Sequence, residues 1–408
     1  MANSWIIRSR SLAVGDNTTR YHHPSGSGLA AHAAVARAEA PIRDAGVFSN
    51  LIVNAPSNTA TVTSTVTLQV SQVDSALTVS YTSTQTGIKE DTSNTVTVAA
   101  TDELDYEVTV PDTGPATTLT VAAVGVQFAP TTTTDCIALL VAGGDFNFTT
   151  ASTSFFMSPN SRVNNPTTEA NEKYRVRFSF TASDLFAYSY SNGRTTDVVV
   201  STRKSGGAGA QSVTYTSGQT GTKEDTSNTD SLAAGDDFYY SVVTSTGTGG
   251  IQITTISCSC INTASLFPLL AGDPAPTAIN FNVTTYFPVS GSLVTTSTTE
   301  ANTQLYPRFT FTASELGAFV SANSIATSAT TVTLMDNGSA SALTVSYDAA
   351  QTGLKNDSSN TAEITTGSDE ADYRIVTPNT SGSITFRWIG IVGSTAVAAV
   401  RRRFKVSG

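Results

Sequence analysis

An eleven-residue phrase occurs three times in this chain of 408 residues. It begins at Gln85 as Gln-Thr-Gly-Ile-Lys-Glu-Asp-Thr-Ser-Asn-Thr, returns almost unchanged at Gln219, and returns with more substitutions at Gln351. The glutamine recurs after 134 and then 132 residues, which is the length of a whole domain and far longer than a solenoid repeat. The sequence therefore predicts one domain written three times.

The similarity extends beyond this phrase on both sides. Arg177-Phe-Ser-Phe and Arg308-Phe-Thr-Phe match in register, and a Thr-Thr-Glu-Ala-Asn segment precedes each of them. Each copy is long enough to bury a core of its own. We place the copies, the first with an N-terminal arm and the third with a basic C-terminal tail, at residues 1–145, 146–280 and 281–408.

The first copy differs from the others near its start. Residues 29–40 read Leu-Ala-Ala-His-Ala-Ala-Val-Ala-Arg-Ala-Glu-Ala and are followed by Pro41. Alanine is the strongest helix former, and proline would end a helix there. A short helix or docking arm is predicted, and it requires a surface to pack on because isolated short helices are marginal in water.

The rest of each copy reads as β-strands. Charged residues are 13% of the chain, about half of the usual ~25%, and Thr and Val alternate in short runs. In the third copy, Asp336-Asn337-Gly338 is a hairpin turn signal and residues 343–347 alternate with period 2. Eight short strands in about 130 residues favour a jelly-roll β-sandwich over an immunoglobulin sandwich. The predicted fold class is all-β, with three tandem jelly-roll-like sandwiches.

Charge and hydropathy exclude several partners. The net charge of −10 argues against binding to nucleic acid through its phosphates, and the basic run at residues 401–405 is interpreted as a solvated or partner-facing tail. No apolar run approaches the ~20 residues needed to span a bilayer, and no signal peptide is recognised. We expect a protein made in the cytoplasm of its host, with no membrane or nucleic-acid partner.

Catalytic residues are not predicted. The only histidines are His22, His23 and His32, all in the least repeated segment, so no histidine accompanies a nucleophile in the other copies. His22 and His23 are interpreted as a surface loop and not as a metal site. Cys258 and Cys260 point to the same face of one strand, which suits buried, reduced side chains better than a disulfide. No cofactor is predicted.

The strongest candidate for a ligand site is a set of acidic residues that recurs in every copy. Carboxylates in the loops of β-sandwiches can bind Ca²⁺, but Asp, Asn, Ser and Gly are also what tight turns require. Turn capping is the favoured interpretation and Ca²⁺ the alternative. The set comprises Glu90, Asp91, Asp102, Glu103, Glu224, Asp225, Asp236, Asp237, Asp357, Asp369 and Glu370.

Recurring tyrosines are predicted to lie in the core, because they recur in register with alternating strands. Tyr188 and Tyr190 share a face in the second copy and have no match in the third, which makes them the weaker alternative of an exposed, glycan-binding surface. The predicted core tyrosines are Tyr81, Tyr106, Tyr215, Tyr240, Tyr347 and Tyr373.

The order of these elements carries a resemblance. A strand, the Asp336-Asn337-Gly338 turn, a Leu-Thr-Val-Ser-Tyr strand, Gln-Thr-Gly, Asp-Ser-Ser-Asn-Thr and a final alternating strand resemble the jelly-roll modules of bacteriophage virion proteins, which are distantly similar to the C1q and tumour-necrosis-factor fold. Such modules occur in head decoration proteins, head fibres and tail proteins. The resemblance implies a structural or binding role on a virus particle.

Three functions follow as hypotheses. The first is a capsid decoration or cement protein that binds the major capsid protein or other virion proteins. The second is a tail-associated or fibre receptor-binding protein, and the third is a bacterial surface adhesin or glycan-binding protein. An enzyme is not expected. The copies either form a pseudo-threefold cluster or a linear string, and self-trimerisation is an open alternative. The predicted anchors to partners are Leu29, Val35, Arg37, Arg401, Arg402 and Arg403.

Overall fold

The computed structural model describes residues 3–24, 33–111, 117–131, 135–161, 166–272, 278–293, 297–367 and 369–395. These ranges consist mainly of β-strands, and their helical residues are confined to the 3-10 turns Val35–Arg37, Glu169–Asn171 and Glu300–Asn302. None of the helical segments in these ranges is long and apolar enough to cross a membrane.

The strands form three sandwiches, which we call the first, second and third modules. The first contains β1 (Ser4–Gly15), β2 (Thr18–His22), β3 (Ala40–Pro41), β4 (Gly46–Ala55), β5 (Ser57–Asn58), β6 (Ser64–Val70), β7 (Val73–Tyr81), β8 (Gly87–Val98), β9 (Glu103–Val110) and β10 (Thr118–Pro130). The second contains β11 (Cys136–Phe148), β12 (Thr153–Met157), β13 (Tyr174–Arg175), β14 (Phe180–Asn192), β15 (Val198–Lys204), β16 (Gly207–Tyr215), β17 (Gly221–Leu232), β18 (Asp237–Thr244) and β19 (Ile251–Asn262). The third contains β20 (Leu266–Gly272), β21 (Ile279–Asn280), β22 (Thr284–Pro288), β23 (Gly291–Ser292), β24 (Phe311–Asn323), β25 (Thr330–Asp336), β26 (Ser339–Tyr347), β27 (Gly353–Ile364), β28 (Ala371–Val376) and β29 (Ser383–Ser394).

Each module packs two antiparallel sheets with the same strand order. The first sheets run β1-β10-β4-β8, β11-β19-β14-β17 and β20-β29-β24-β27, and the second sheets run β2-β9-β6-β7, β12-β18-β15-β16 and β22-β28-β25-β26. Within the described residues, the principal strands of each module are thus ordered first-eighth-third-sixth and second-seventh-fourth-fifth. This order is that of a jelly roll, and the predicted fold class is confirmed.

Period-2 alternation determines which side chains are buried. In β7, Leu77, Val79 and Tyr81 are buried and Ser80 is exposed, because successive side chains of a strand point to opposite faces. The same pattern recurs in β16 and β26. The buried faces of the two sheets meet to form the core of each module, as predicted from the alternation.

A β-bulge interrupts the third principal strand of every module at the same place. Asn50, Asp184 and Glu315 have φ of 56°, 57° and 55°, and the pairing of β4, β14 and β24 with their neighbours shifts there. Asn and Asp tolerate this left-handed conformation better than most residues, whereas Glu315 adopts it without that advantage.

Within residues 33–41 the chain forms only the turn Val35–Arg37 and the short strand β3, because Ala38 and Ala40 are buried and β3 pairs with β9; the earlier part of the predicted helix lies outside the described residues. Strand β11, which begins inside the range 1–145 and ends at Phe148, pairs with β19 of the second module. Its sequence is not repeated in β1, so the repeat gave no signal for this pairing.

Candidate functional site

A tyrosine just before the repeated phrase makes the same two hydrogen bonds in every module, and we call this arrangement the tyrosine lock. The hydroxyl of Tyr81 donates to the carbonyl oxygens of Val53 and Gly87, at 2.8 and 2.9 Å. Tyr215 and Tyr347 make the equivalent pairs of bonds, to Ala187 and Gly221 and to Ala318 and Gly353. All six predicted core tyrosines are buried, as expected.

The aspartate of the phrase accepts hydrogen bonds from five donors. For Asp91 these are the backbone N–H groups of Thr78, Ser93 and Asn94, the Ser93 hydroxyl and the Asn94 amide. Asp225 and Asp357 have the same five kinds of donor.

These bonds set the charge of the aspartates. Burial opposes ionisation, but the amide and backbone N–H donors outweigh it. The pKa values of Asp91 and Asp225 are therefore lowered, and that of Asp357 falls to about 2. A carboxylate that is already saturated by donors of its own turn is poorly placed to bind Ca²⁺.

Three further aspartates of the acidic set also cap turns. Asp102, Asp236 and Asp369 accept the backbone N–H of a residue three or four positions earlier in the chain, at 2.8, 2.9 and 2.6 Å. Among the described residues, no group of three or more His, Cys, Asp or Glu side chains is arranged to hold a metal ion. The most repeated residues of the chain thus stabilise the modules themselves, and a functional site has to be sought elsewhere.

The modules contact each other in a cyclic order. Arg43 of the first module pairs with Glu224 of the second, and Arg177 of the second pairs with Glu315 of the third at 2.6 Å. Arg308 of the third pairs with Glu90 of the first at 2.7 Å. The three arginines stand at the same position, three residues before β4, β14 and β24. Their side chains are only 13%, 13% and 6% exposed.

The same junctions contain further contacts between equivalent segments. Asn54 on β4 donates to the carbonyl oxygen of Gln304 at 3.0 Å, and Trp388 on β29 donates to that of Lys173 at 2.9 Å. Gln304 and Lys173 occupy equivalent positions, two residues after the 3-10 turns of the third and second modules. At the junction of the first and second modules, the His23 ring lies 3.3 Å from the Thr255 hydroxyl.

These contacts close the molecule into a ring. The segment between the second and third principal strands of each module packs on the first sheet of the next, and the third module returns to the first. The strands that open the modules also meet, since β1 contacts β11 and β23, and β11 contacts β20. The modules are therefore clustered around a pseudo-threefold axis and do not form a linear string.

Only some of the predicted anchor residues can be placed. Val35 lies half-buried in its 3-10 turn, while Leu29, the side chain of Arg37, and Arg401, Arg402 and Arg403 lie outside the described residues. The prediction of a surface loop at His22 and His23 is wrong. Their exposures are 1% and 0%. His22 belongs to β2, which pairs with β9, and His23 lies against Thr255 of the second module, a contact that the isolated copy does not contain.

The cysteines of β19 and the two tyrosines of β14 lie closer to where the sequence predicted them. Cys258 and Cys260 are buried and form no disulfide, and burial raises the pKa of the Cys258 thiol. Tyr190 is 49% exposed, whereas Tyr188 is half-buried.

The junction residues were missed by sequence reasoning. Arg177 and Arg308 are part of a repeated segment, so a signal was present, but nothing indicated what they would contact. Arg43 stands in the divergent first copy, and the tryptophan at Trp388 has no counterpart in the other two copies. Neither residue could therefore be recognised from the repeat.

Comparisons with known proteins add little to this description. No family model and no curated protein sequence matches the chain. Among solved structures, it is similar to an archaeal virus protein described by its triple jelly-roll fold and turret assembly, with 13% identity over 95% of this chain and 90% of that one and a TM-score of 0.19. It is also similar to a Paenibacillus xanthan lyase, with 13% identity over 70% of this chain and a TM-score of 0.20, and spans 30% of the length of that lyase. At such values neither similarity assigns a function.

Proposed function

We propose that this chain is a structural protein of a virus particle, and specifically a decoration protein that binds the outer surface of a capsid. The observation that supports the proposal is the closed ring, in which Arg43, Arg177 and Arg308 occupy one position and each contacts the following module. Fusing three modules in one chain makes the contacts of a trimer intramolecular and raises their effective concentration.

A ring of this kind suits a threefold position of a lattice. It presents three similar faces to similar neighbours, while fusion allows each face to differ in sequence. A fibre built from modules placed end to end would leave the contact between Arg308 and Glu90 unmade. The ring therefore favours decoration of a surface over the alternative of a projecting fibre or tail protein. The proposed partners are the major capsid protein or other virion proteins.

The polar residues support a structural role over catalysis. The aspartates of the repeated phrase are saturated by hydrogen bonds of their own turns, and burial holds the Cys258 thiol protonated. We therefore propose that no reaction is carried out by the described part of the chain.

Immunogold electron microscopy of lysate from the native source tests the proposal. Gold distributed over capsid facets is the expected result, with antibody absorbed on the purified chain as the control. Gold at one pole of the particle would assign the protein to the tail and overturn decoration. Label on cell surfaces without particles would overturn the virion role and favour an adhesin.

A further inference from the structure

Two asparagines of this chain, Asn192 and Asn337, are followed directly by glycine. Asparagine is a chemically labile residue, because the backbone nitrogen of the next residue can attack its side-chain amide and expel ammonia. Glycine has no side chain to obstruct that attack and leaves the backbone free to turn towards the amide. The two pairs share this chemistry, but the structure surrounds them very differently.

The reacting groups of the first pair are held by hydrogen bonds. The Nδ2 atom of Asn192 donates to two backbone carbonyl oxygens of a neighbouring loop, at 3.0 and 2.9 Å, and its Oδ1 atom accepts from the backbone N–H of Arg194 at 3.0 Å. The backbone N–H of Gly193, whose nitrogen would attack, donates to the carbonyl oxygen of Gly250 at 2.8 Å. Reaction at Asn192 therefore requires this loop to open first.

The asparagine of the first pair is also part of the design of every module. Its equivalents, Asn58 and Asn323, donate to the carbonyl oxygens of Thr82 and Asp348 at 3.1 and 3.0 Å. Each also accepts the backbone N–H of the residue two positions later, at 3.0 Å. An ionised aspartate could not donate the first kind of bond, so these loops depend on the intact amide.

The second pair is open. Asn337 and Gly338 form the two-residue turn between β25 and β26, and both are exposed. The side-chain amide of Asn337 and the backbone N–H of Gly338 make no hydrogen bond to any described residue. A Cβ atom placed on Gly338 would meet nothing within 4 Å, so water has access to the turn. The groups that must react are exposed and unbound.

The equivalent turns of the other modules lack this dipeptide. The residue that begins the turn is Ser71 in the first module, Ser205 in the second and Asn337 in the third, with φ of 49°, 47° and 49°. Asparagine adopts this left-handed conformation more readily than most residues, but two modules form the same turn with serine. The fold therefore does not require an asparagine here.

We propose that Asn337 is a site of spontaneous deamidation, at which the third module gains a carboxylate as the protein ages. The backbone nitrogen of Gly338 loses its proton to hydroxide and bonds to Cγ of Asn337, and the bond from Cγ to Nδ2 breaks with release of ammonia. Water then opens the cyclic imide. Attack at Cγ gives aspartate, and attack at the backbone carbonyl carbon gives isoaspartate, in which the chain continues through Cγ. This site does not depend on the proposed role in a virion.

The product alters the tip of this hairpin. A carboxylate at position 337 follows Asp336, whose pKa is already raised by burial and then by the charge of Asp369, so a further like charge is unfavourable. Isoaspartate also adds one atom to the backbone of a two-residue turn, which cannot then keep the pairing of Asp336 with Ser339. We expect both products to loosen the end of β26, in one module of the three.

Peptide mass spectrometry of the purified full chain, incubated at pH 6 and pH 8.5, tests the proposal. Trypsin releases Asn337 in the peptide 309–355 and Asn192 in the peptide 178–194. The mass gain of an amide converted to an acid is expected at least about tenfold faster at Asn337, because Asn192 must first lose its hydrogen bonds. It is also expected to be faster at pH 8.5, where the attacking nitrogen loses its proton more often. Equal rates at the two sites, or a gain that fragmentation assigns to Asn323, would overturn the proposal.

Incubation in urea shows whether the fold causes the difference. Once the chain is unfolded, neither asparagine is held by hydrogen bonds, and the two peptides are expected to react at similar rates. A difference that persisted undiminished in urea would mean that the hydrogen bonds of Asn192 do not protect it, and would contradict the structural assignment.

A variant makes the test specific. Asn337→Ser gives the third module the residue of the other two, and this variant is expected to lack the acidic form that the aged wild type develops on ion exchange. An acidic form of the same size in the folded, aged variant would contradict Asn337 as the site. If the variant does not fold, the absence of a mass gain in the wild-type peptide 309–355 would contradict it equally.

Discussion

Strands β7 and β8, with their equivalents in the other modules, can be compared with the junctions between modules. In the first region, the tyrosine of Tyr81 and the aspartate of Asp91 recur in all three modules and make the same hydrogen bonds in each. In the second, Glu39 is replaced by Lys173 and Gln304, and each junction has its own chemistry. The chain repeats its sequence where a module must satisfy its own backbone. At the junctions the three arginines recur, but the residues around them differ. The following predictions test this division, beginning with the largest expected effect.

Removing the aspartate carboxylate of the repeated phrase should lower the stability of the fold the most. Asp357→Ala leaves five donors without their acceptor, and we expect the free energy of unfolding to fall by about 3 kcal/mol at pH 7. The exposed neighbour Ser358 is the control, because Ser358→Ala should change stability by less than about 0.5 kcal/mol. Urea unfolding at pH 7 measures both.

The same variant has a predicted pH dependence. The pKa of Asp357 is lowered to about 2, so its contribution is complete above the ordinary value near 4 and is lost as pH falls through about 2. The difference between wild type and Asp357→Ala should therefore shrink in strong acid. A constant difference down to pH 2 would show that the carboxylate charge is not what stabilises the turn.

Removing the tyrosine hydroxyl should have a smaller effect that is equal in all modules. Tyr81→Phe, Tyr215→Phe and Tyr347→Phe each lose two bonds to backbone carbonyls, and we expect a loss of about 1.5 kcal/mol for each. Tyr190→Phe, at an exposed site, is the control. If the three losses differ from one another by more than about 1 kcal/mol, the tyrosine lock is energetically coupled to the junctions.

Breaking one ion pair of the ring should cost less again. A double-mutant cycle of Arg308→Met and Glu90→Gln is expected to give a coupling energy of about 1 kcal/mol, since the arginine is largely buried and the glutamate is not. The pair of Arg175 and Asp237 within the second module, in which the arginine is 40% exposed, is the control, with an expected coupling below about 0.5 kcal/mol. Equal coupling energies would remove the distinction between the ring and an ordinary surface pair.

The smallest effect is expected where the repeat itself has changed. Asn356 stands at the position of Glu90 and Glu224, and Arg177 pairs with Glu315 on the neighbouring strand instead. Asn356→Glu returns the residue of the other modules, and we expect a gain of about 0.5 kcal/mol at low salt that disappears at high salt. A loss of stability would show that this junction has adapted to asparagine.

The sequence predicted the features that depend on neighbours along the chain. Alternation with period 2 identified β7, β16 and β26, and repetition in register identified the core tyrosines. The junctions were not predictable in this way. The pairing of Arg43 with Glu224 joins residues 181 positions apart and exists only because two modules are placed side by side. The burial of His23 has the same origin, since its ring lies against Thr255 of the second module.

The bond from Thr78 to Asp91 has a consequence for crowded conditions. Strand β7 lies at the edge of its sheet, and an edge strand with free backbone groups can recruit a strand from another molecule. Here Asp91 occupies the outward N–H of Thr78, and the Lys89 ammonium occupies the outward carbonyl of Ser80 at 2.8 Å. Ser212 and Thr344 are occupied in the same way in β16 and β26. These bonds leave fewer backbone groups on this edge open to pairing with a strand of another molecule, which counts against strand-to-strand aggregation where many copies of the chain are crowded together.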